Sequence, residues 1–170
     1  MDIKEFFQLC AGKWFSQRTS HPIPPEQLEA GRSDLWVEIL PADDPKVGQL
    51  CDRLGTDKSH AILGVSIRWE GIVGADPDKK KGSTLMIPLS DGTFVQNNNA
   101  PGSTPMKGTY VLGNDDALTL VTESDTLHAE ERIWFASSNL RLRNSTIRYS
   151  DGSGLASFCS EIRMGGVAPQ

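Results

Sequence analysis

An all-β fold, an antiparallel up-and-down barrel, is what this sequence predicts, and three observations predict it. From about residue 61 onward, short strand-like segments follow one another, separated by clusters such as Asn114-Asp115-Asp116 and Asp151-Gly152-Ser153-Gly154. Apolar residues at helical spacing occur only twice, both before that point. The segments are consecutive and their connections short, which suits a sheet that winds round and closes rather than a βαβ protein. The expectation is roughly eight to ten strands with one helix in front and one inserted. At 170 residues the chain has room for one core. Residues 1–170 are therefore expected to form one barrel domain, with a tail that frays after about 164.

The first helix is expected over 2–11. Asp2 can cap it, Glu5 stands three residues on, and Ile3, Phe6, Phe7 and Cys10 share a face. Gly12 ends it. A strand over 13–21 follows, whose alternation puts Trp14, Ser16, Arg18 and Ser20 on one side. Pro22-Ile23-Pro24-Pro25 is expected to end regular pairing. A strand over 34–40 carries Trp36. The second helix has Asp43 and Asp44 as caps, Pro45 at its first position and Gly55 past its end. Its Val47, Leu50, Cys51 and Leu54 fall on one face, so it covers something. The remaining strands are expected over 61–71, 83–89, 92–96, 106–112, 117–123, 126–136, 140–149 and 154–163. Asp76-Pro77-Asp78 and the three lysines after it read as an exposed hairpin end.

A formal net charge of −5 argues against a general nucleic-acid binder. Cys10, Cys51 and Cys159 are odd in number and lack ligand spacing, which fits buried thiols in a reducing compartment. The start of the chain has no signal-peptide pattern and no apolar run reaches membrane-span length, so a cytoplasmic protein is expected, without a membrane partner. His21, His60 and His128 are scattered, and no metal site is expected. No phosphate loop, His-Glu-x-x-His or Gly-x-Ser-x-Gly occurs.

The strongest constellation is arginine. Arg141 and Arg143 stand two apart in a strand and share a face, with Leu140 and Leu142 on the other. Facing water, the pair is a solubilising surface. Facing a lumen, it is a site for carboxylates or phosphates. Alternation alone leaves the phase open. Arg18 is in phase with Trp14, so a buried Trp14 would bring it inside. Trp69 and Trp134 are either pocket walls or core residues. Glu131 and Glu161 are separate acidic candidates, and Glu161 is in phase with Cys159 and Arg163.

Gly12-Lys13-Trp14 after a short helix resembles the lipocalin and fatty-acid-binding group, in which a Trp closes one barrel end against a late Arg; Arg163 fits that part. Longer blocks carry a closer resemblance. Gly12-Lys13-Trp14-Phe15-Ser16-Gln17-Arg18-Thr19-Ser20-His21, Glu131-Arg132-Ile133-Trp134-Phe135-Ala136, Asn139-Leu140-Arg141-Leu142-Arg143 and Ala156-Ser157-Phe158-Cys159-Ser160-Glu161-Ile162-Arg163 are similar to the S/U-type phycobiliprotein lyases, the CpcS/CpeS group. The resemblance covers most of the chain and is weakest at 90–105 and after 163.

It implies a lipocalin-like barrel that binds a linear tetrapyrrole, phycocyanobilin or a related bilin, as substrate and needs no cofactor. It also implies thioether attachment of that bilin to a cysteine of an apo-phycobiliprotein subunit of phycocyanin or allophycocyanin type. Arg18, Trp69, Trp134, Arg141 and Arg143 are carried over as ligand-binding residues, and Glu161 and His21 as catalytic candidates. A paralogous lyase subunit or a second copy of the chain is a further expected partner. The resemblance places the protein in a cyanobacterial cell or plastid stroma. Two departures stand out: Pro22 follows His21, and the Asn-rich 96–99 region is shorter than the insertion associated with relatives. The alternatives are a non-catalytic partner in a heterodimeric lyase and a carrier of an apolar acid.

Overall fold

The computed structural model describes residues 1–100 and 102–165. The tail expected to fray falls almost wholly outside them. Ten strands form one closed antiparallel barrel in which each pairs with its neighbours in sequence and the first pairs with the last. They are β1 (Gly12–Ile23), β2 (Glu29–Leu40), β3 (Gly64–Val73), β4 (Lys80–Pro88), β5 (Thr93–Asn98), β6 (Met106–Leu112), β7 (Leu118–Glu123), β8 (Leu127–Ser137), β9 (Leu140–Tyr149) and β10 (Gly154–Met164). Closure leaves no open sheet edge.

Helix α1 (Ile3–Cys10) starts in a capping box: Glu5 N–H donates to Asp2, and Asp2 N–H donates back to the Glu5 carboxylate, both at 2.8 Å. It drives Phe6, Phe7 and Cys10 into one end of the barrel. Helix α2 (Pro45–Arg53) is capped by Asp44, whose side chain accepts from Lys46 N–H at 2.9 Å. Its buried Val47, Leu50 and Cys51 pack outside the barrel, on Ile87 of β4 and Val95 of β5. The apolar face seen in the sequence covers the outer wall there.

Several strands run further than expected, β1 and β2 among them. Pro22 does not end β1; it pairs opposite Leu155, and the strand reaches Ile23. The pairing of β1 with β2 stops at Ser20–Glu29, so Pro22 has a neighbour on one side only and its missing N–H interrupts no ladder there. β2 begins at Glu29 rather than 34, because its polar start is held between two strands: Gly31 stands opposite both Arg18 and Val73.

The α1 end of the barrel is shut. Trp14 is fully buried, and its indole N–H donates to Cys10 O at 2.8 Å. The Arg163 guanidinium lies 4.2 Å from the Trp14 ring and donates to Leu9 O and Ala11 O, each at 2.6 Å, and to Ser138 O at 3.1 Å. One side chain thus satisfies helix-end carbonyls and ties α1 to the β8–β9 turn. The expected Trp–Arg closure is present.

Candidate ligand-binding cavity

A cavity of about 480 Å³ fills the rest of the lumen and opens at the end opposite α1, among the start of β2, the end of β3 and the end of β9. Its size suits one small organic ligand. Two unlike walls enclose it. β2 to β5 contribute Leu35, Val37, Val65, Ile67, Trp69 and Met86, whereas β8, β9, β10 and β1 contribute Glu131, Arg141, Arg143, Cys159, Arg18 and Ser20. A flat ligand that is apolar on one side and acidic on the other matches this division.

Alternation places both Arg141 and Arg143 inside. Their cross-strand partners are Glu161 and Cys159 on β10 and Phe135 and Ile133 on β8. Their first carboxylate belongs to the protein itself. Glu161 is fully buried and its Oε2 accepts from Arg141 Nε at 2.5 Å. Its Oε1 is ion-paired with Arg143 Nη2 at 2.9 Å and accepts from the Ser16 hydroxyl at 3.4 Å. Burial pushes the Glu161 pKa up, but Arg143 and Arg141 outweigh it and hold the carboxyl below the usual range. Burial likewise works against the charge on Arg143, and Glu131 and Glu161 more than restore it.

The two arginines differ in what remains available. Arg141 is 5% exposed, with its guanidinium 5.0 Å from the Trp14 ring. Arg143 retains 21% side-chain exposure and stands 3.7 Å from Glu131, itself 30% exposed. Arg18 points into the same cavity from β1, opposite Cys159, and among the described residues its side chain has no ion pair or hydrogen bond. Arg18 thus has spare capacity, as does Arg32 of β2, which also borders the cavity.

The other site candidates divide. Trp69 lines the cavity. Trp134 does not: Ile133 and Phe135 point inward, so Trp134, opposite Leu142, lies on the outer face of β8. His21 is corrected for the same reason, being one residue out of phase with inward Ser20, exposed, and absent from the cavity wall. Glu161 is in the cluster but locked behind its partners; it braces the arginines rather than facing open space. Glu131, like Glu29 and Glu130, borders the cavity; it is recognisable in the sequence by its phase with Ile133 once that residue is known to be inside. Cys10 and Cys159 are buried, and burial pushes the Cys10 thiol up. Among the described residues no three His, Cys, Asp or Glu side chains cluster as a metal site requires, and no helix is long and apolar enough to cross a membrane.

A ten-stranded barrel with one shut end and a lumen that is half apolar and half cationic defines a lipocalin-like protein for small ligands. A family model described as CpeS-like protein matches residues 2–164. A chromophore lyase CpcS/CpeS from Thermosynechococcus vestitus is 43% identical, covering 99% of this chain and 96% of the relative. A phycocyanobilin lyase subunit CpcS from Picosynechococcus sp. is 37% identical over 96% of this chain and 86% of its own length. The solved S-type phycobiliprotein lyase CPES from Guillardia theta superposes with a TM-score of 0.85 at 31% identity, covering 98% of this chain and 95% of that one. The chain belongs to the CpeS-like family.

Proposed function

We propose that the chain binds a linear tetrapyrrole, phycocyanobilin in the first instance, and promotes its thioether attachment to a cysteine of an apo-phycobiliprotein in a cyanobacterial cytoplasm or plastid stroma. The observation that carries this is the pairing of walls: apolar side chains and the Trp69 indole on one side, and on the other Arg18, with no protein partner among the described residues, beside the partly open Arg143. A bilin is flat and apolar across its rings, with two propionates and central pyrrole nitrogens. Arg18 and Arg143 take the propionates, since a guanidinium can hold a carboxylate through two parallel hydrogen bonds. Glu131 is in reach of the central N–H groups. Glu161 is a positioning residue that fixes the arginine pair.

The reaction follows from the closed floor. α1, Trp14 and Arg163 leave no way in from below, so the acceptor thiol approaches through the mouth. Its sulfur adds to the ring A ethylidene, the C–S bond forms, and the π electrons move into the conjugated system, which takes up a proton. A carboxylate that hydrogen-bonds the pyrrole N–H groups favours the protonated tetrapyrrole and makes that carbon more electrophilic. The nucleophile comes from the acceptor, so the lyase needs none of its own.

Mixing purified protein with phycocyanobilin should shift and intensify the visible band, and denaturation should abolish the change. Coexpression with a bilin pathway and an apo-phycocyanin or apo-allophycocyanin subunit should leave acid-stable colour on the acceptor. No spectral change, or displacement of bilin by a fatty acid, would replace this proposal with a carrier of apolar acids. The relative named a lyase subunit favours one variation, in which colour appears only when a paralogous chain is present.

A further inference from the structure

We propose that the mouth half of the β3–β4–β5 wall is a subsite for a terminal lactam ring of the substrate, formed by the amides of Gln96 and Asn98 and the indole of Trp69. The inference rests on the bilin proposal above and adds the part of the ligand that the arginines do not read.

The starting point is the run Gln96-Asn97-Asn98-Asn99, a polar end to a strand that lines an apolar wall. Alternation splits it into two pairs. Asn97 and Asn99 are outside, where Asn97 donates to the Asn99 side chain at 3.3 Å and Asn99 donates to the Ser83 hydroxyl at 2.9 Å. Gln96 and Asn98 are in phase with buried Phe94 and stand opposite Met86 and Thr84 of β4. Gln96 lines the cavity, Asn98 stands one inward position further towards the mouth, beyond the lining itself, and both are partly exposed. The Asn98 Oδ1 accepts from the Thr84 hydroxyl at 2.9 Å and from Gln96 Nε2 at 3.2 Å.

That oxygen is therefore fully used, while Gln96 Oε1 and Asn98 Nδ2 have no partner among the described residues. Two hydrogen-bonded neighbours thus keep one acceptor, on Gln96, and one donor group, on Asn98. Turning both amides end for end exchanges the roles but leaves one of each, so the conclusion does not depend on which end carries nitrogen. A lactam presents the complement, an N–H and a C=O on adjacent atoms. In an open-chain tetrapyrrole only the two terminal rings carry lactams; propionates are acceptors alone and the inner pyrroles lack a carbonyl.

The neighbouring aromatic completes the subsite. Trp69 stands directly opposite Gly82, one inward position beyond Thr84 towards the mouth. A side chain at residue 82 would place its Cβ 2.7 Å from three indole atoms, so the glycine lets the indole lie against the wall and offer a face for stacking. In the ten-strand order β5 is opposite β10, so this subsite faces the arginine wall across the lumen. A bilin held at both walls has its propionates at Arg18 and Arg143 and one terminal ring against Trp69 and the amides. A closed porphyrin dicarboxylate would satisfy only the first wall.

The test is equilibrium binding of phycocyanobilin to wild type, Gln96→Leu, Asn98→Leu and the double variant, at about 0.05 M and about 0.5 M salt. Each single change should weaken binding about three- to tenfold, as loss of a neutral hydrogen bond does, and by the same factor at both salt concentrations because no ion pair is broken. In resonance Raman spectra the terminal lactam C=O stretch should be lowered by hydrogen bonding in the wild-type complex and should rise in the variants. Unchanged affinity in all three variants overturns the subsite. So does a wild-type carbonyl stretch equal to that of free bilin in an aprotic solvent, a measurement that needs no variant to fold. Failure of wild type to bind bilin would sink the functional proposal itself, whereas tight binding indifferent to residues 96 and 98 would sink only this inference.

Discussion

The floor and the mouth of the barrel are built from the same residue types and use them oppositely. At the floor, Arg163 is committed to three backbone carbonyls and Arg141 to Glu161. At the mouth, Arg18 has no protein partner among the described residues, and the amides of Gln96 and Asn98 keep one donor and one acceptor in reserve. Arg18 is exposed and Gln96 and Asn98 are partly exposed, so water can serve these groups in the open mouth; the committed groups stabilise the fold and the uncommitted ones remain available to a ligand. Spare hydrogen-bonding capacity, rather than residue identity, separates scaffold from site.

Substitutions should separate the two ends. The largest effect is expected from Glu161→Gln, which leaves the buried Arg141 and the partly buried Arg143 without their shared carboxylate and should cost about 3–5 kcal/mol in denaturant unfolding at neutral pH. The stability from Glu161 should be fully present above the ordinary carboxylate pKa of about 4.3. It should disappear as pH falls through the depressed folded value, so wild type and variant converge in acid. Convergence on raising the pH instead would show that Glu161 is not held as a carboxylate. Arg163→Met should come next, at about 2–3 kcal/mol of stability from carbonyls left without donors, with bilin affinity close to wild type. Arg18→Ala should do the reverse: bilin affinity down roughly 10–100-fold, less so at high salt, and a melting temperature that barely moves. A large loss of stability there would erase the contrast between the ends. Trp134→Ala should have the smallest effect, at most about 1 kcal/mol on unfolding and none on bilin spectra; lost bilin binding would mean that the outer wall takes part.

Much of the fold was legible because period-two alternation and turn clusters are local signals. β6 and β9 have the expected bounds, and both helices were visible from their caps. The starts of β2 and β4 were not, since Glu29–Ser33 and Lys80–Gly82 lack apolar alternation and are strands because their neighbours pair with them. Arg18 could be placed from its phase with Trp14. The phase of β8 and β9 could not, because both faces carry apolar residues: Ile133 and Phe135 inside, Trp134, Leu140 and Leu142 outside. Alternation therefore left Trp134 open between pocket wall and core residue, and only the family resemblance put it in the pocket. Glu161 is in phase with Arg163 on its own strand, but its partners are Arg141 and Arg143 of β9 and Ser16 of β1, a convergence that alternation along β10 does not reveal. The amide pair at 96 and 98 was hidden for a similar reason, since its meaning depends on Thr84 across the β4–β5 register.

The Arg163 clasp has a consequence for the birth of the protein. Its hydrogen bond to Ala11 spans 152 residues, and β1 can pair with β10 only when almost the whole described chain exists. On the ribosome, α1 and β1 emerge first and wait longest, with Phe6, Phe7 and Trp14 lacking the cover that buries them in the finished barrel. Contacts of such long range slow folding and prolong exposure to aggregation. A nascent or truncated chain lacking β10 has neither Glu161 nor a closed lumen, so the cavity exists only once the last strand has been made and has paired with the first.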